Sequence, residues 1–259
     1  DFCLSRGLGD VYKRQHGSPM NVIADNEWTR NWKNLKSKIA KPKGIIAISA
    51  HWYINHTAYN NQETFEQIYD MYGFPQEIYD VKYNAHNDLE LTAKIKNILQ
   101  DDITVDNKWG LDHGLWSVLK FMYPEADIPM SIISIDFSKN PIEHFEIARK
   151  LRSLREEGYL VICSGNIVHN LRTMYLSKPS LVDEAIEFDD LVEDKVLSGK
   201  FDDLVNYKTL PNWQIAASTP DHYLPLVYAL GFLYGDEDIE VFNKGGEFGA
   251  VTMTSYIFK

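Results

Sequence analysis

The sequence predicts a single α/β domain in which helices flank a central β-sheet that is mostly parallel or mixed. Short apolar runs alternate along the chain with longer segments of helical periodicity. Strands and helices that alternate in this way pack as a sheet with helices on its faces. The chain has 259 residues, 44% of them hydrophobic, which is enough to bury one sizeable core. No repeat, low-complexity tract or linker divides it.

Five segments are predicted to be strands, and in chain order they are 44–50, 130–136, 159–165, 239–243 and 249–258. The first, GIIAISA, is continuously apolar, as a buried strand is. The second and third, MSIISID and YLVICSG, are similar, whereas the last alternates more between apolar and polar residues.

Five segments between the strands show helical patterns, namely 26–39, 88–100, 114–123, 141–158 and 182–199. The fourth ends at Gly158, and glycine is a natural C-terminal stop for a helix.

The charge of the chain argues against two classes of partner. Its formal net charge is −11, from 37 acidic and 26 basic residues. Nucleic acids and anionic membrane surfaces require a cationic protein surface, so we expect neither as a partner. The two cysteines, Cys3 and Cys163, form no metal-type pair and indicate a reducing cytoplasm. No apolar run reaches the roughly 18 residues of a membrane span.

Three histidines draw attention by their relation to strands. Ligands of α/β sheets bind beyond the carboxyl ends of the strands, and these ends converge in space. His51 directly follows the strand at 44–50, and His169 lies just past the strand at 159–165. His16 begins the turn HGSPM but follows a polar and basic segment without an apolar run. It is therefore either an exposed terminal residue or one whose strand is missing.

Two further histidines are predicted at helix N-termini. Pro220 suits the first turn of a helix and Asp221 its positive end, where the dipole disfavours protonation of His222. A metal ion requires such a neutral imidazole. Asp112 can cap a second helix that His113 opens.

Other features have an ordinary structural interpretation. A single histidine after a strand is more often a hydrogen-bonded structural residue, and His56, His86 and His144 lack the strand-end or helix-start setting. The aromatic segment 69–83 is too broken by Gly and Pro for a regular helix. It either lines a pocket or packs as a surface loop.

Seven ordered motifs carry a resemblance to a known family: HGSPMNV, SAHWY, YGFPQEIYDVKY, WGLDHGLWSVL, MYPEADIPMSIISID, SGNIVHNLR and TPDHYLPLVYALG. Together they resemble the 4,5-DOPA extradiol dioxygenase family. These are class III extradiol ring-cleavage enzymes, similar to the catalytic subunit of protocatechuate 4,5-dioxygenase. The resemblance covers the chain from about His16 to its C-terminus.

The resemblance implies a metal site and its residues. It places His16, His51 and His222 at a divalent metal, with Fe(II) needed for activity and Zn(II) sometimes found in the isolated protein. His169 corresponds to the active-site base and lies close enough to the metal to be a further ligand. His113 corresponds to a second active-site histidine, which contacts substrate or oxygen.

The N-terminus departs from the family pattern. In the family an apolar strand that ends in Gly precedes the motif HGSPM, and here the sequence CLSRGLGDVYKRQ stands in its place. We therefore expect residues 1–15 to be non-native, the dioxygenase domain to span residues 16–259, and the first strand to be missing or replaced.

The activity implied by the resemblance is the extradiol opening of a small catechol, DOPA-like or caffeate-like, with O2. Arg172 is a candidate to bind a substrate carboxylate. Three histidine ligands suit zinc equally well, so a zinc-dependent hydrolase is the alternative enzyme, and a non-catalytic relative on the same fold is the third hypothesis. The expected partners are the catechol and O2, with the chain acting as a monomer or a small homo-oligomer.

Overall fold

A computed structural model describes residues 11–14, 17–172 and 180–259 of the chain. Its described strands are β1 (Val11–Arg14), β2 (Gly44–Ile54), β3 (Ala58–Tyr59), β4 (Thr104–Val105), β5 (Met130–Asp136), β6 (Tyr159–Ser164), β7 (Ile239–Phe242), β8 (Gly246–Glu247), β9 (Val251–Thr252) and β10 (Ser255–Phe258). Its described α-helices are α1 (Glu27–Leu35), α2 (Gln76–Tyr79), α3 (Leu89–Leu99), α4 (His113–Met122), α5 (Pro141–Leu151), α6 (Asp183–Leu197), α7 (Phe201–Val205), α8 (Trp213–Ala216) and α9 (Leu224–Gly231).

Eight of the described strands form one mixed sheet in the order β4-β3-β5-β2-β6-β1-β10-β7. The central strands β5, β2, β6 and β1 are parallel to one another. Strand β10 pairs antiparallel with β1 on one side and with β7 on the other. Strand β8 pairs with β9 outside this sheet. The predicted α/β domain with a mostly parallel or mixed sheet is confirmed.

The sheet separates two apolar cores. Ile46 and Ile48 of β2 belong to the core that contains residues of α3, α5, α6 and α9. Ile45 and Ala47 belong to the other core, with residues of α1 and α4. Successive side chains of a strand point to opposite faces, so a strand covered by helices on both sides is apolar throughout. This explains the continuous apolar run that identified β2.

Most predicted elements are present with shifted boundaries. The segment 130–136 is β5 without change, whereas β2 continues past residue 50 to Ile54 because it goes on pairing with β5 beyond an irregularity in register. The segment 249–258 divides into β9 and β10, which pair with different neighbours. The helix predicted to stop at Gly158 ends there after a final 3-10 turn, and this glycine has a φ of +89°.

The first strand was expected to be missing or replaced, and the structure shows a replacement and not an absence. Strand β1 occupies its position, in parallel register with β6 and antiparallel to β10. A ladder of backbone hydrogen bonds on both edges can hold a strand without an apolar run in its sequence. The segment VYKR therefore stands where an apolar strand was expected. Residues 1–10 and 15–16 lie outside the described residues, and the non-native origin of residues 1–15 stays a prediction.

Across the described ranges, no helix of the structure has both the length and the apolar character needed to cross a membrane.

His144 of α5 is a structural histidine, as its sequence setting indicated. Its side chain is fully buried, and Nδ1 lies 3.0 Å from the hydroxyl of Tyr228. Burial disfavours the imidazolium and lowers the pKa of His144 from 6.5 to about 4.

His144 should therefore make the free energy of unfolding depend on pH. Between pH 6.5 and 4 the unfolded chain binds a proton at this residue that the folded chain does not. The contribution of the neutral His144 to the free energy of unfolding is fully present above pH 6.5 and declines by about 3 kcal/mol as the pH falls to 4. Urea unfolding of the wild type and of His144→Gln at pH 7 and pH 4 measures this difference. Equal losses of stability in the two proteins would show that the folded protein does not suppress protonation of His144.

Candidate metal centre

His51 lies within β2 and not after it. Up to Ser49 the strand pairs with β6, and its pairing with β5 is interrupted between Ile48 and Tyr53. His51 falls in this irregular stretch, and its ring borders a cavity. The sequence placed it beyond the strand because the apolar run ends at Ala50. The pairing continues to Ile54 because the partner strand β5 supplies it.

His113 is the first residue of α4, as predicted. The side chain of Asp112 caps this helix by accepting the backbone N–H of Gly114 at 3.0 Å. The same Asp112 oxygen accepts the hydroxyl of Ser49 at 2.7 Å, which joins the start of α4 to β2. The N-terminus of this helix is thus anchored beside the irregular part of β2.

His222 lies in a turn that precedes α9, which differs from the expected place in the helix. The backbone N–H of Tyr223 donates to the Pro220 carbonyl at 3.0 Å, and the helix begins at Leu224 without a side-chain cap. The carbonyl of His222 itself accepts the backbone N–H of Asn166 at 2.8 Å. This bond fastens the turn to the chain that leaves β6.

His169 follows β6, as predicted, and is held by its backbone. Its N–H donates to the Ala216 carbonyl at 2.9 Å, and the residue forms a bridge with Val251. The imidazole of His169 stacks on that of His222, with ring centroids 3.5 Å apart and planes 8° apart. Two protonated rings would repel at this distance, so the stack favours neutral imidazoles.

The structure brings four predicted histidines to one place. The ring of His51 lies 4.3 Å from that of His113 and 5.2 Å from that of His222, centroid to centroid. With His169 they border a cavity of about 450 Å³. The fifth, His16, lies outside the described residues, although its neighbour Gly17 lines the same cavity.

The aromatic segment 69–83 contributes to the same cavity, so the pocket-lining interpretation of this segment is the correct one. Asp70, Met71, Tyr72 and Phe74 all border it. Arg172, in contrast, is exposed and does not border it. Among the cavity-lining residues that the structure describes there is no lysine or arginine, and a role of Arg172 in binding a substrate carboxylate stays a prediction.

Three carboxylates contact the histidines at Nδ1. Asp70 lies 3.0 Å from Nδ1 of His51 and 2.9 Å from Nδ1 of His113, and Asp221 forms a close contact with Nδ1 of His222. Asp112 lies 3.3 Å from Nδ1 of His51. Asp70 belongs to no sequence motif that predicted a site residue. The only signal was its place in a segment that could line a pocket.

Burial and these carboxylates shift the pKa values of the histidines in different directions. Burial lowers the pKa of His51, but the hydrogen bonds to Asp112 and Asp70 outweigh it and raise the pKa to about 10. Burial, reinforced by the charge of a protonated His222, lowers the pKa of His169 to about 2. Burial also lowers the pKa of His222, against the effect of Asp221. His169 and His222 are therefore neutral at physiological pH.

The donor set suits a transition metal. In each of two groups, His51 with Asp70 and His113, and His169 with Asp221 and His222, the candidate ligand atoms lie within 4.8 Å of one another. Imidazole and carboxylate donors bind Fe, Zn and similar ions. A metal that binds to His51 would release its proton, as expected for metal sites built from protonated ligands.

The fold and the site together define a class: an α/β protein with a histidine-rich candidate metal centre at the irregular stretch of β2 and beyond the end of β6. The sequence comparisons agree with this class and specify the family. Residues 10–259 match the family described as the catalytic LigB subunit of aromatic ring-opening dioxygenase. The chain belongs to this family of extradiol dioxygenases.

Relatives of known sequence and structure extend along nearly the whole chain. The chain is 42% identical to the 4,5-DOPA dioxygenase extradiol of Escherichia coli K12 over 246 residues, which cover 93% of this chain and 91% of the relative. It is 33% identical to the 4,5-DOPA dioxygenase extradiol of Beta vulgaris, with 97% of each covered. A crystal structure of an uncharacterized Escherichia coli K12 protein superposes with a TM-score of 0.85 at 36% identity, covering 97% of this chain and 100% of that one.

Proposed function

We propose that this protein is an Fe(II)-dependent extradiol dioxygenase that opens the ring of a small DOPA-like or caffeate-like catechol with O2. The two relatives named for 4,5-DOPA cleavage support the substrate class. The low cysteine content supports action in the cytoplasm. The observation that carries the proposal is the convergence of His51, His113, His169 and His222, from four separate segments, on one cavity.

The proposed metal ligands are His51, His222 and His16, the last on the sequence alone. The imidazoles of His51 and His222 border the cavity, and a carboxylate contacts Nδ1 of each. In metal sites, carboxylates in this position orient the histidine ligands. When bound, divalent iron supplies open positions where catechol and O2 meet and a path for electrons between them. The protein contributes the positions of the histidines and a cavity wall that is mostly apolar.

His169 is the proposed base, with a further role as ligand left to experiment. Burial lowers the pKa of His169 from the 6.5 of an ordinary histidine to about 2. The ring is therefore neutral before the reaction, and a neutral imidazole has one nitrogen lone pair that can accept the catechol proton. His113 is the proposed second histidine, which holds or returns a proton in the same cavity. The ring bond beside the two hydroxyl-bearing carbons breaks, and both oxygen atoms of O2 enter the product.

The test is oxygen consumption by protein loaded anaerobically with Fe(II). After addition of L-DOPA or caffeate and admission of O2, we expect one O2 consumed per catechol and a new yellow absorbance. The control is the same protein loaded with Zn(II), which has no redox chemistry and should consume no O2. No uptake by the iron form would contradict the proposal. Ester or amide hydrolysis by the zinc form would then favour the hydrolase, and inactivity of both forms the non-catalytic relative.

A further inference from the structure

Asp70 joins two histidines that come from different elements. Its Oδ1 lies 2.9 Å from Nδ1 of His113 and 2.9 Å from the backbone nitrogen of the same residue, and its Oδ2 lies 3.0 Å from Nδ1 of His51. Each carboxylate oxygen thus faces a different imidazole. The side chains of all three residues are 10–14% exposed, so water competes little for these hydrogen bonds.

The chemistry of a carboxylate determines the direction of these bonds. An ionised carboxylate only accepts, so each Nδ1 that contacts it must carry a hydrogen. Asp70 is held ionised by its surroundings, because it accepts the backbone N–H at the start of α4, where the helix dipole favours a negative charge. With Nδ1 protonated in both rings, Nε2 is the nitrogen that remains to bind a metal or to exchange a proton.

Asp112 also approaches His51, but it is engaged elsewhere. Its Oδ1 accepts from Ser49 at 2.7 Å and from the backbone of Gly114 at 3.0 Å, while its Oδ2 accepts the indole N–H of Trp109 at 3.0 Å. Nδ1 of His51 has one hydrogen to donate, and Asp70 at 3.0 Å is nearer to it than Asp112 at 3.3 Å. The role of Asp112 is to hold α4 against β2.

We infer that Asp70 is the positioning residue that holds the Nδ1–H form of both His51 and His113, so that Nε2 is the working nitrogen of each ring. For His51 this nitrogen would bind the metal, and for His113 it would take up and return a proton. This inference rests on the proposed function for those two roles. The hydrogen bonds themselves can be tested without turnover.

The first measurement is a long-range ¹H–¹⁵N correlation spectrum of the imidazoles in the metal-free wild-type protein, with assignments from single histidine variants. We expect Nδ1 to be protonated in both His51 and His113. A His113 ring with its proton on Nε2 and a bare Nδ1 would overturn the inference. This measurement requires no substitution of Asp70, so it does not depend on whether an Asp70 variant folds.

The second measurement compares Asp70→Asn with Asp80→Asn. The amide keeps the shape of Asp70 but offers one acceptor and one donor, so one of the two rings must change its Nδ1 protonation. Loss of such a carboxylate partner should weaken zinc binding by about 10- to 100-fold, measured by competition with a chromophoric chelator. Asp80 is exposed in the same segment and contacts Gln76, so Asp80→Asn should match the wild type.

The outcomes separate the inference from the proposed function. Unchanged imidazole spectra and unchanged zinc affinity in Asp70→Asn would overturn the inference. Zinc-shifted Nδ1 resonances would also overturn it, because they would show the metal on the side of Asp70. The predicted spectra and affinities in a protein that consumes no O2 would instead leave the inference standing and refute the dioxygenase activity.

Discussion

Replacement of His169 with alanine is expected to lower kcat for ring opening by about 100- to 10,000-fold, the usual range for the loss of a general base. The backbone of His169 is anchored to Ala216 and the residue bridges Val251, so the local fold does not depend on the imidazole. The side chain stacks on His222 but contributes no backbone bond. A large loss of rate should therefore accompany a small loss of metal affinity.

The measurements are O2 uptake with the iron-loaded enzyme and zinc affinity by chelator competition. A base that is neither a ligand nor a hydrogen-bonding partner of a ligand predicts less than about a tenfold change in zinc affinity, because loss of such a partner typically costs about 10- to 100-fold. A loss of zinc binding as severe as that in His51→Ala would make His169 a ligand. His86→Ala removes an exposed histidine from outside the cavity and should retain wild-type rate and affinity. Full activity of His169→Ala would refute both roles.

Replacement of Gly165 with alanine is expected to damage both stability and activity. A Cβ at this position would lie 2.3 Å from the His222 carbonyl oxygen and 2.7 Å from Cγ of Pro225. The backbone at residue 165 and the turn at His222 must therefore move apart. This movement strains the hydrogen bond from the backbone N–H of Asn166 to the His222 carbonyl. Overpacking of this kind costs about 3 kcal/mol. A shift of the His222 ring by about 1 Å should lower the rate by about 100-fold.

The matched control is Gly199→Ala, which changes the same residue type at a position that does not line the cavity. No heavy atom lies within 4 Å of the added Cβ, but φ is +69°. The left-handed conformation costs alanine about 1 kcal/mol, so this variant should be slightly less stable and fully active. Thermal unfolding and O2 uptake of the two variants separate the effects. A Gly165→Ala protein with wild-type activity would show that the position of His222 does not depend on the close approach of Gly165 to the His222 carbonyl.

The sequence was sufficient where a local pattern and the fold agree. The strand β5 lies where its apolar run predicted, because both of its faces are covered and its composition reflects that burial. Asp112 caps α4 with His113 as first residue, because capping involves only a few neighbouring residues. Gly158 ends its helix in the left-handed region, which its side chain permits.

The sequence failed where a distant partner decides the structure. The polar segment at residues 11–14 forms β1 because β6 and β10 pair with it on both edges. β2 continues to Ile54 because β5 continues beside it. His222 lies in a turn before α9, where its carbonyl meets the chain that follows β6. None of these partners lies near its target in sequence.

The sequence by itself determined the α/β class and the central apolar strands and singled out the candidate histidines, since apolar periodicity, strand ends and helix starts are local properties. The tertiary structure alone showed which carboxylate stands behind each imidazole. Asp70 meets His51 and His113 only because a broken aromatic segment folds over the start of α4. The same packing determines how far each pKa departs from the ordinary value of its residue type, because that shift depends on burial and neighbouring charge. It makes His169 neutral and gives His51 a proton that a metal must displace.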